Sequence, residues 1–350
     1  MPIDFTQYKL SAIKSPIDNR DYVSTAVIPI DSILPPKLSH KASTDIVLDQ
    51  GPYGICVGCS GAGLKNKQEQ KSGTLPIGGF SPVYLYTLCK QIDGIPNIWG
   101  TYPRTSLQVL IKDGILPYDD MPISVIDGLG GKLPEITPAQ IAKATPYKIA
   151  SYAQVPLSNL LAVKQALVNG PVKFALGVAN QFFNPEQGRF IAPPSGTLYG
   201  GHDVLLVGYD DDMMYTYADG RTEKGFLELQ NSWGKHWGNG GYAYVPYSAL
   251  DWKWPVSNGI EFIWEMWSAV DFDQSPVKPK YWRIQTGAFS VKTNAQNYQA
   301  QLKLKGLATY LVYIDGLWKV QLGAFLLETN CRNEAARVKA LGISNFVTYY

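Results

Sequence analysis

The spacing of apolar and polar positions changes twice along the chain, and each change predicts a different architecture. A helix is predicted to start at Cys56 and to continue through Gly61 to Lys71, with polar residues accumulating towards its end. Leu107-Gln108-Val109-Leu110-Ile111-Lys112-Asp113-Gly114 reads as an amphipathic helix with a glycine stop. Beyond Val155 the pattern becomes extended: Pro171 to Leu176, Asp203 to Tyr209 and Gly225 to Gln230 read as strands. The expectation is a mainly helical half facing a mainly β half. Ahead of both, Ser15-Pro16-Ile17-Asp18-Asn19-Arg20-Asp21-Tyr22 reads as an extended strap bounded by turns.

The second change follows a linker, Asp273 to Lys280, where the chain begins to repeat itself. Trp282-Arg283-Ile284-Gln285-Thr286-Gly287-Ala288-Phe289 aligns with Trp318-Lys319-Val320-Gln321-Leu322-Gly323-Ala324-Phe325. Thr293-Asn294 aligns with Thr329-Asn330, Asn297 with Asn333 and Gly306 with Gly342. Each copy reads strand, turn, helix, glycine, strand. Two copies predict a four-stranded antiparallel sheet carrying two helices on one face.

Four polar groups carry the chemistry. Gln50 opens Gln50-Gly51-Pro52-Tyr53-Gly54-Ile55-Cys56, His202 precedes the apolar strand Asp203 to Tyr209, and Asn231 begins Asn231-Ser232-Trp233-Gly234. Cysteine, distant histidine, distant asparagine is the order of a thiolate nucleophile, its base and its orienter. A helix beginning at Cys56 aims its positive end at the sulfur. An imidazolium at His202 stabilises the thiolate and then protonates the leaving amine. Asn231 holds the ring by its side-chain oxygen. Gln50 offers an N–H, beside the backbone N–H of Cys56, to a developing oxyanion.

From about Leu34 to Phe272 the chain resembles the papain-like cysteine peptidases. Asn231, Ser232, Trp233, Gly234, Trp237, Gly238, Gly241 and Tyr242 all match that family's last motif. Gln50, Gly51, Gly54 and Cys56 match the first, with Tyr53 in place of an upstream cysteine and Val57 in place of a tryptophan. The implied fold class is α+β: a two-lobed papain-like domain, then a small βαββαβ domain. Phe80 to Tyr86 resembles the family's second helix, with Pro82 in its first turn. The resemblance also implies a substrate wall of Gly100, Thr101, Ala175, Asp203 and Trp233. In it, the Gly100–Thr101 backbone pairs with an extended substrate, and Asp203 follows the catalytic histidine. Asp203 either selects a Lys, Arg or polar side chain, or turns away into a surface hydrogen bond. Residues 1–33 are either a belt packed on the enzyme or a removable inhibitory segment.

The segment from about 280 to 350 resembles the SPOR domain, a peptidoglycan-binding module of bacteria and their phages. That resemblance implies glycan strands as a partner, with Gln285 and Gln321 suited to sugar hydroxyls. Trp282, Phe289, Trp318 and Phe325 either fill the small core or line an open binding face.

Composition narrows the alternatives. Hydrophobic residues make up 45% and charged residues 17%, which describes a well-buried globular protein. A net charge of +2 argues against nucleic acid as a partner. No His or Cys spacing suggests a metal site, and no cofactor is expected. Cys89 and Cys331 read as buried hydrophobes; Cys59 reads as core packing or a redox site. His236 reads as solvated. No apolar run is long enough to span a membrane and no signal peptide is visible, so wall localisation would need lysis, a non-classical route or a leader trimmed from this sequence. The expected protein is a monomeric cysteine endopeptidase acting on protein or peptide. A peptidoglycan amidase or a silent wall-binding protein are the alternatives.

Overall fold

The computed structural model describes residues 4–18, 21, 23, 34–254, 261–271, 281–325 and 328–349. They form two compact units, the first ending at Asp271 and the second starting at Tyr281. The expected linker at 273–280 and much of the strap's later part lie outside the described residues.

In the first unit β1 (Lys37–Ser39) precedes five helices: α1 (Cys56–Ser72), α2 (Pro82–Ile92), α3 (Pro103–Lys112), α4 (Ser124–Gly128) and α5 (Pro138–Ala144). Then come β2 (Ile149–Gln154), α6 (Leu160–Asn169), β3 (Val172–Val178), α7 (Asn180–Phe183), β4 (Gly200–Thr216), β5 (Thr222–Gln230), β6 (Tyr242–Pro246) and β7 (Ile263–Asp271). The antiparallel sheet runs β2-β7-β3-β4-β5-β6, with β1 added on β4. The predicted helical and β halves are both present. Helix α3 starts earlier than predicted because Pro103 occupies its first turn, where a missing N–H costs nothing. Ser81 caps α2 by accepting from the Tyr84 N–H at 3.0 Å.

Strand β4 joins the two halves by alternation. Val204 and Leu206 enter the core under the β half, with Phe174, Leu229 and Trp237. Leu205 and Val207 enter the core under the helices, with Ala62, Leu85 and Leu110. Helix α1 lies between them, buried on all sides from Cys56 to Glu69. The polar residues that accumulate along it are therefore not a solvated face, contrary to what their density suggests. Lys65 reaches Glu69 at 2.6 Å and Asp271 at 2.8 Å, and Gln68 donates to the Ala269 carbonyl at 3.1 Å.

Close packing of α1 on α2 depends on Gly58. A Cβ there would stand 2.3 Å from the Pro82 carbonyl oxygen. Gly58→Ala should therefore destabilise this unit by roughly 1–2 kcal/mol: overpacking costs about 1–3 kcal/mol, partly offset by about 1 kcal/mol of helix propensity. The urea midpoint of tryptophan fluorescence measures it, and an unchanged or raised midpoint contradicts it.

The second unit is β8 (Trp282–Phe289), α8 (Lys292–Leu304), β9 (Thr309–Ile314), β10 (Leu317–Phe325), α9 (Glu328–Ala340) and β11 (Phe346–Tyr349). Its antiparallel sheet has the order β11-β8-β10-β9. The two sequence copies thus supply the central pair, with Gln321 opposite Gln285. Ile284, Val320 and Leu322 pack against Ala295, Leu302, Cys331, Ala335 and Val338 of the helices. Trp282, Phe289, Trp318 and Phe325 pack on this core. Gln285 and Gln321, expected to meet sugar hydroxyls, are only 5% and 1% exposed, so their side chains are withdrawn from solvent.

Candidate active site

Cys56 is the first residue of α1, so its sulfur sits at the positive end of the helix dipole. His202 stands on β4 and Asn231 directly follows β5. His202 Nε2 lies 2.7 Å from Asn231 Oδ1. The same oxygen accepts from the Ser232 backbone N–H at 2.8 Å. A backbone N–H can only donate, so this bond fixes which Asn231 atom is the oxygen. Nε2 must then carry the ring proton, leaving Nδ1 as the basic nitrogen. Nδ1 has no hydrogen-bond partner among the described residues. Ser232 Oγ donates to Gln50 Oε1 at 2.8 Å, which turns the Gln50 NH₂ the other way. Trp233 stacks on the His202 ring at 5.0 Å, and Phe182 meets that ring edge-on at 5.6 Å.

Residues 5–15 run through this site. Phe5 and Tyr8 pack on Trp233, and Gln50 Nε2 donates to the Lys9 carbonyl at 3.0 Å. Ser11 Oγ lies 3.4 Å from Cys56 Sγ. The Ala12 N–H donates to the Gly201 carbonyl, the Ile13 N–H to the Thr101 carbonyl, and the Thr101 N–H to the Ser11 carbonyl, at 2.9, 3.0 and 3.2 Å. Glycines admit this backbone: a Cβ on Gly201 would stand 2.1 Å from the Ala12 oxygen, and one on Gly100 2.8 Å from the Ser11 oxygen. The atom offered to the sulfur is a hydroxyl oxygen and not a carbonyl carbon.

Burial sets the charge state. It raises the Cys56 thiol above its ordinary range, against the lowering pull of the Ser11 hydroxyl and of the Asp203 and Ser11 backbone. Burial also pushes His202 down to about 4, although its Asn231 bond opposes this. The covered site therefore holds a neutral thiol and a neutral imidazole. The thiolate–imidazolium pair expected from the sequence is disfavoured by this burial.

The wall residues divide. Thr101 pairs with the chain's own Ser11–Ile13 backbone. Gly100 does not: its N–H bonds the Tyr86 hydroxyl and its carbonyl accepts from Lys90, both at 2.8 Å. Ala175 is buried, opposite Asp203 in register. Asp203 corrects both readings made of it. Alternation sends it to the opposite face of β4 from His202, beneath α1, where it pairs with Lys173 at 2.7 Å. Both side chains are fully buried. Lys173 lies in the strand predicted over Pro171 to Leu176 but carried no role in the sequence reading; a lone cation in a buried strand requires a buried partner. Cys59 is buried and its thiol is driven well up by desolvation, which fits packing. Among the described residues no acidic, histidine or cysteine cluster could hold a metal.

Residues 42–250 match the papain family cysteine protease description. The chain belongs to that family. Residues 278–349 match the SPOR domain. Falcipain-3 of Plasmodium falciparum is 32% identical over 33% of this papain-family chain. A cathepsin L-like proteinase of Fasciola hepatica is 26% identical over 60% of it. The chain spans 23% and 59% of the length of these two relatives. Xylellain, a cysteine protease from Xylella fastidiosa, is 25% identical, with a TM-score of 0.60 over 76% of this chain and 97% of its own.

The strap's grip is testable. Ala12→Pro removes the N–H that Gly201 accepts and should speed labelling of Cys56 by an epoxide thiol reagent at least severalfold. A neutral thiol beside a neutral imidazole holds as many protons as a thiolate beside an imidazolium, so exchanging one pair for the other on opening takes up no proton. Amide exchange at Ala12 and Ile13, corrected for its intrinsic pH dependence, should therefore be the same at pH 5 and pH 7. Native labelling rates in Ala12→Pro would show that residues 5–15 do not guard the site.

Proposed function

We propose that this papain-family chain is a cysteine peptidase whose nucleophile is Cys56, latent while residues 5–15 fill its cleft. The observation that supports this most is the hydrogen-bond chain from His202 through Asn231 and Ser232 to Gln50. It presents a basic Nδ1 and an amide NH₂ in one cleft, at the end of a helix that begins with a cysteine.

Once the strap leaves, each group has one task. Nδ1 of His202 takes the thiol proton, and the thiolate adds to the substrate carbonyl carbon. The oxyanion accepts from Gln50 Nε2 and the Cys56 N–H. Collapse breaks the C–N bond, and the imidazolium gives its proton to the departing amine. The thioester is then hydrolysed by a water that gives its proton to Nδ1, which returns it to the sulfur. The Lys9 carbonyl, bonded to Gln50 in the covered state, stands in for a substrate carbonyl.

Cys56→Ala should abolish cleavage of a peptide library and leave the fold intact. Gln50→Ala should lower kcat by roughly 10²–10³, the usual cost of one oxyanion donor. Full activity in Cys56→Ala, or loss of activity in Cys59→Ala with labelling at Cys59, would reassign the nucleophile. Labelled muropeptides run beside labelled casein separate a peptidase from a peptidoglycan amidase.

The SPOR domain supports placement at the bacterial cell wall, with glycan strands as its ligand. A fragment from Lys278 to Tyr350 should pellet with purified sacculi, more so once an amidase has stripped the stem peptides. A fragment that stays in the supernatant in both cases has another partner.

A further inference from the structure

Behind the candidate catalytic groups lies a small internal cavity of about 10 Å³, room for a single water. Ser60, Asp203, Gln230, Asn231 and Ser232 are among its lining residues, and all five are buried. Three of them carry a buried polar atom with no hydrogen-bond partner among the described residues: Asp203 Oδ1, Gln230 Oε1 and Asn231 Nδ2. None of the three can be relieved by turning its side chain over, because the opposite atom is already committed. Asp203 Oδ2 accepts from Ser60 at 2.5 Å and pairs with Lys173 at 2.7 Å. Gln230 Nε2 donates to the Ile46 carbonyl at 2.9 Å. Asn231 Oδ1 serves His202 and the Ser232 N–H at 2.7 and 2.8 Å.

The unmatched set is one donor and two acceptors. A water accepts one hydrogen bond and donates two, so it completes all three atoms at once. A cation would meet the Asn231 N–H and an anion would meet the Asp203 carboxylate. We propose that this cavity holds one structural water bonded to Asn231 Nδ2, Asp203 Oδ1 and Gln230 Oε1, and that Asp203 thereby acts as a positioning residue for His202. Asn231 Oδ1 aims the imidazole. The water holds the other end of that amide, and Asp203 holds the water. Lys173 holds Asp203: its ammonium pairs with that carboxylate, bonds the Ser60 hydroxyl and donates to the Val57 carbonyl at 3.3 Å. The last two contacts lie in the first turns of α1, the helix that begins with Cys56. One buried cation thus ties the nucleophile's helix to the strand that carries the base. The proposal rests on the peptidase reading for its catalytic consequence, but not for the water.

The test compares two double variants of the full chain that both remove the buried ion pair. Lys173→Met/Asp203→Leu replaces it with apolar side chains of similar size, a change that buried pairs often tolerate in stability. Lys173→Met/Asp203→Asn also removes it but keeps an acceptor for the water. The chain has only three histidines, so His202 Nε2–H can be assigned by NMR with His40 and His236 variants. The leucine variant should exchange that proton roughly five- to tenfold faster, the size of one lost hydrogen bond. In the activated enzyme it should lower kcat by a similar factor at unchanged KM. The asparagine variant should stay near native in both. A crystal structure of the native chain should show solvent density within hydrogen-bond reach of the three atoms. A folded leucine variant with native exchange and native kcat overturns the positioning role. Absence of that density overturns the water, even if neither variant folds. Absence of any peptide cleavage by the native chain counts against the peptidase reading alone, because the exchange and density measurements do not need turnover.

Discussion

Helix α1 has almost no solvent face, and the rest of the first unit is built around that constraint. A helix buried between a sheet and two other helices must find an internal partner for every polar side chain it carries. Lys65 therefore meets Glu69 and Asp271, and Gln68 meets the backbone of β7. Ser60 meets Asp203 and Lys173 on β4 and β3. All of these except Lys65–Glu69, which lies within α1, tie the helix to a strand of the sheet. The nucleophile's position is thus set by buried polar contacts along the helix as well as by apolar packing around it. Such contacts are directional, and removing one partner leaves the other charged and dry. Apolar packing alone would tolerate a small slide of α1 along its axis; these contacts do not.

The site was largely legible because its groups are chemically unusual and sit in order along the chain. His202, Asn231 and Gln50 are linked through Ser232, while Cys56 stands at the start of α1 and makes no hydrogen bond to His202 Nδ1. The repeat after residue 280 was equally plain, since two copies of one strand–helix–strand pattern leave few ways to close a sheet. What the sequence hid was pairing across distance. Nothing local to Asp203 announces Lys173, which stands in a strand otherwise read as core. Once both strands are in register, one residue of alternation decides whether Asp203 faces the cleft or the underside of α1. The polar end of α1 poses the same difficulty. Lysines and glutamates at helical spacing are as compatible with buried pairs as with a wet face, and only the neighbours distinguish them.

The seating of Ser11, Ala12 and Ile13 was hard to read in the sequence because their hydrogen bonds to the cleft walls are backbone bonds. Ala12, Ile13 and Ser11 are held through N–H and C=O groups that any residue possesses, so their identity carries little information. The informative residues are instead the glycines opposite, Gly100 and Gly201, whose missing side chains let a backbone approach. A wall shaped to accept backbone is indifferent to whether that backbone belongs to a substrate or to the chain's own N-terminal part. Competition between the two is therefore built into the cleft.

That competition also explains how one set of groups can be inert and reactive by turns. A thiol and an imidazole buried together lose the hydration that an ion pair would need, and each retreats to its neutral form. The orienting bonds from Asn231 and Gln50 are formed with residues 5–15 in place. On the proposed reading, uncovering the site would raise the dielectric around the sulfur and the ring and favour proton transfer between them. Latency would then be an electrostatic condition and not a displacement of the groups that orient the ring.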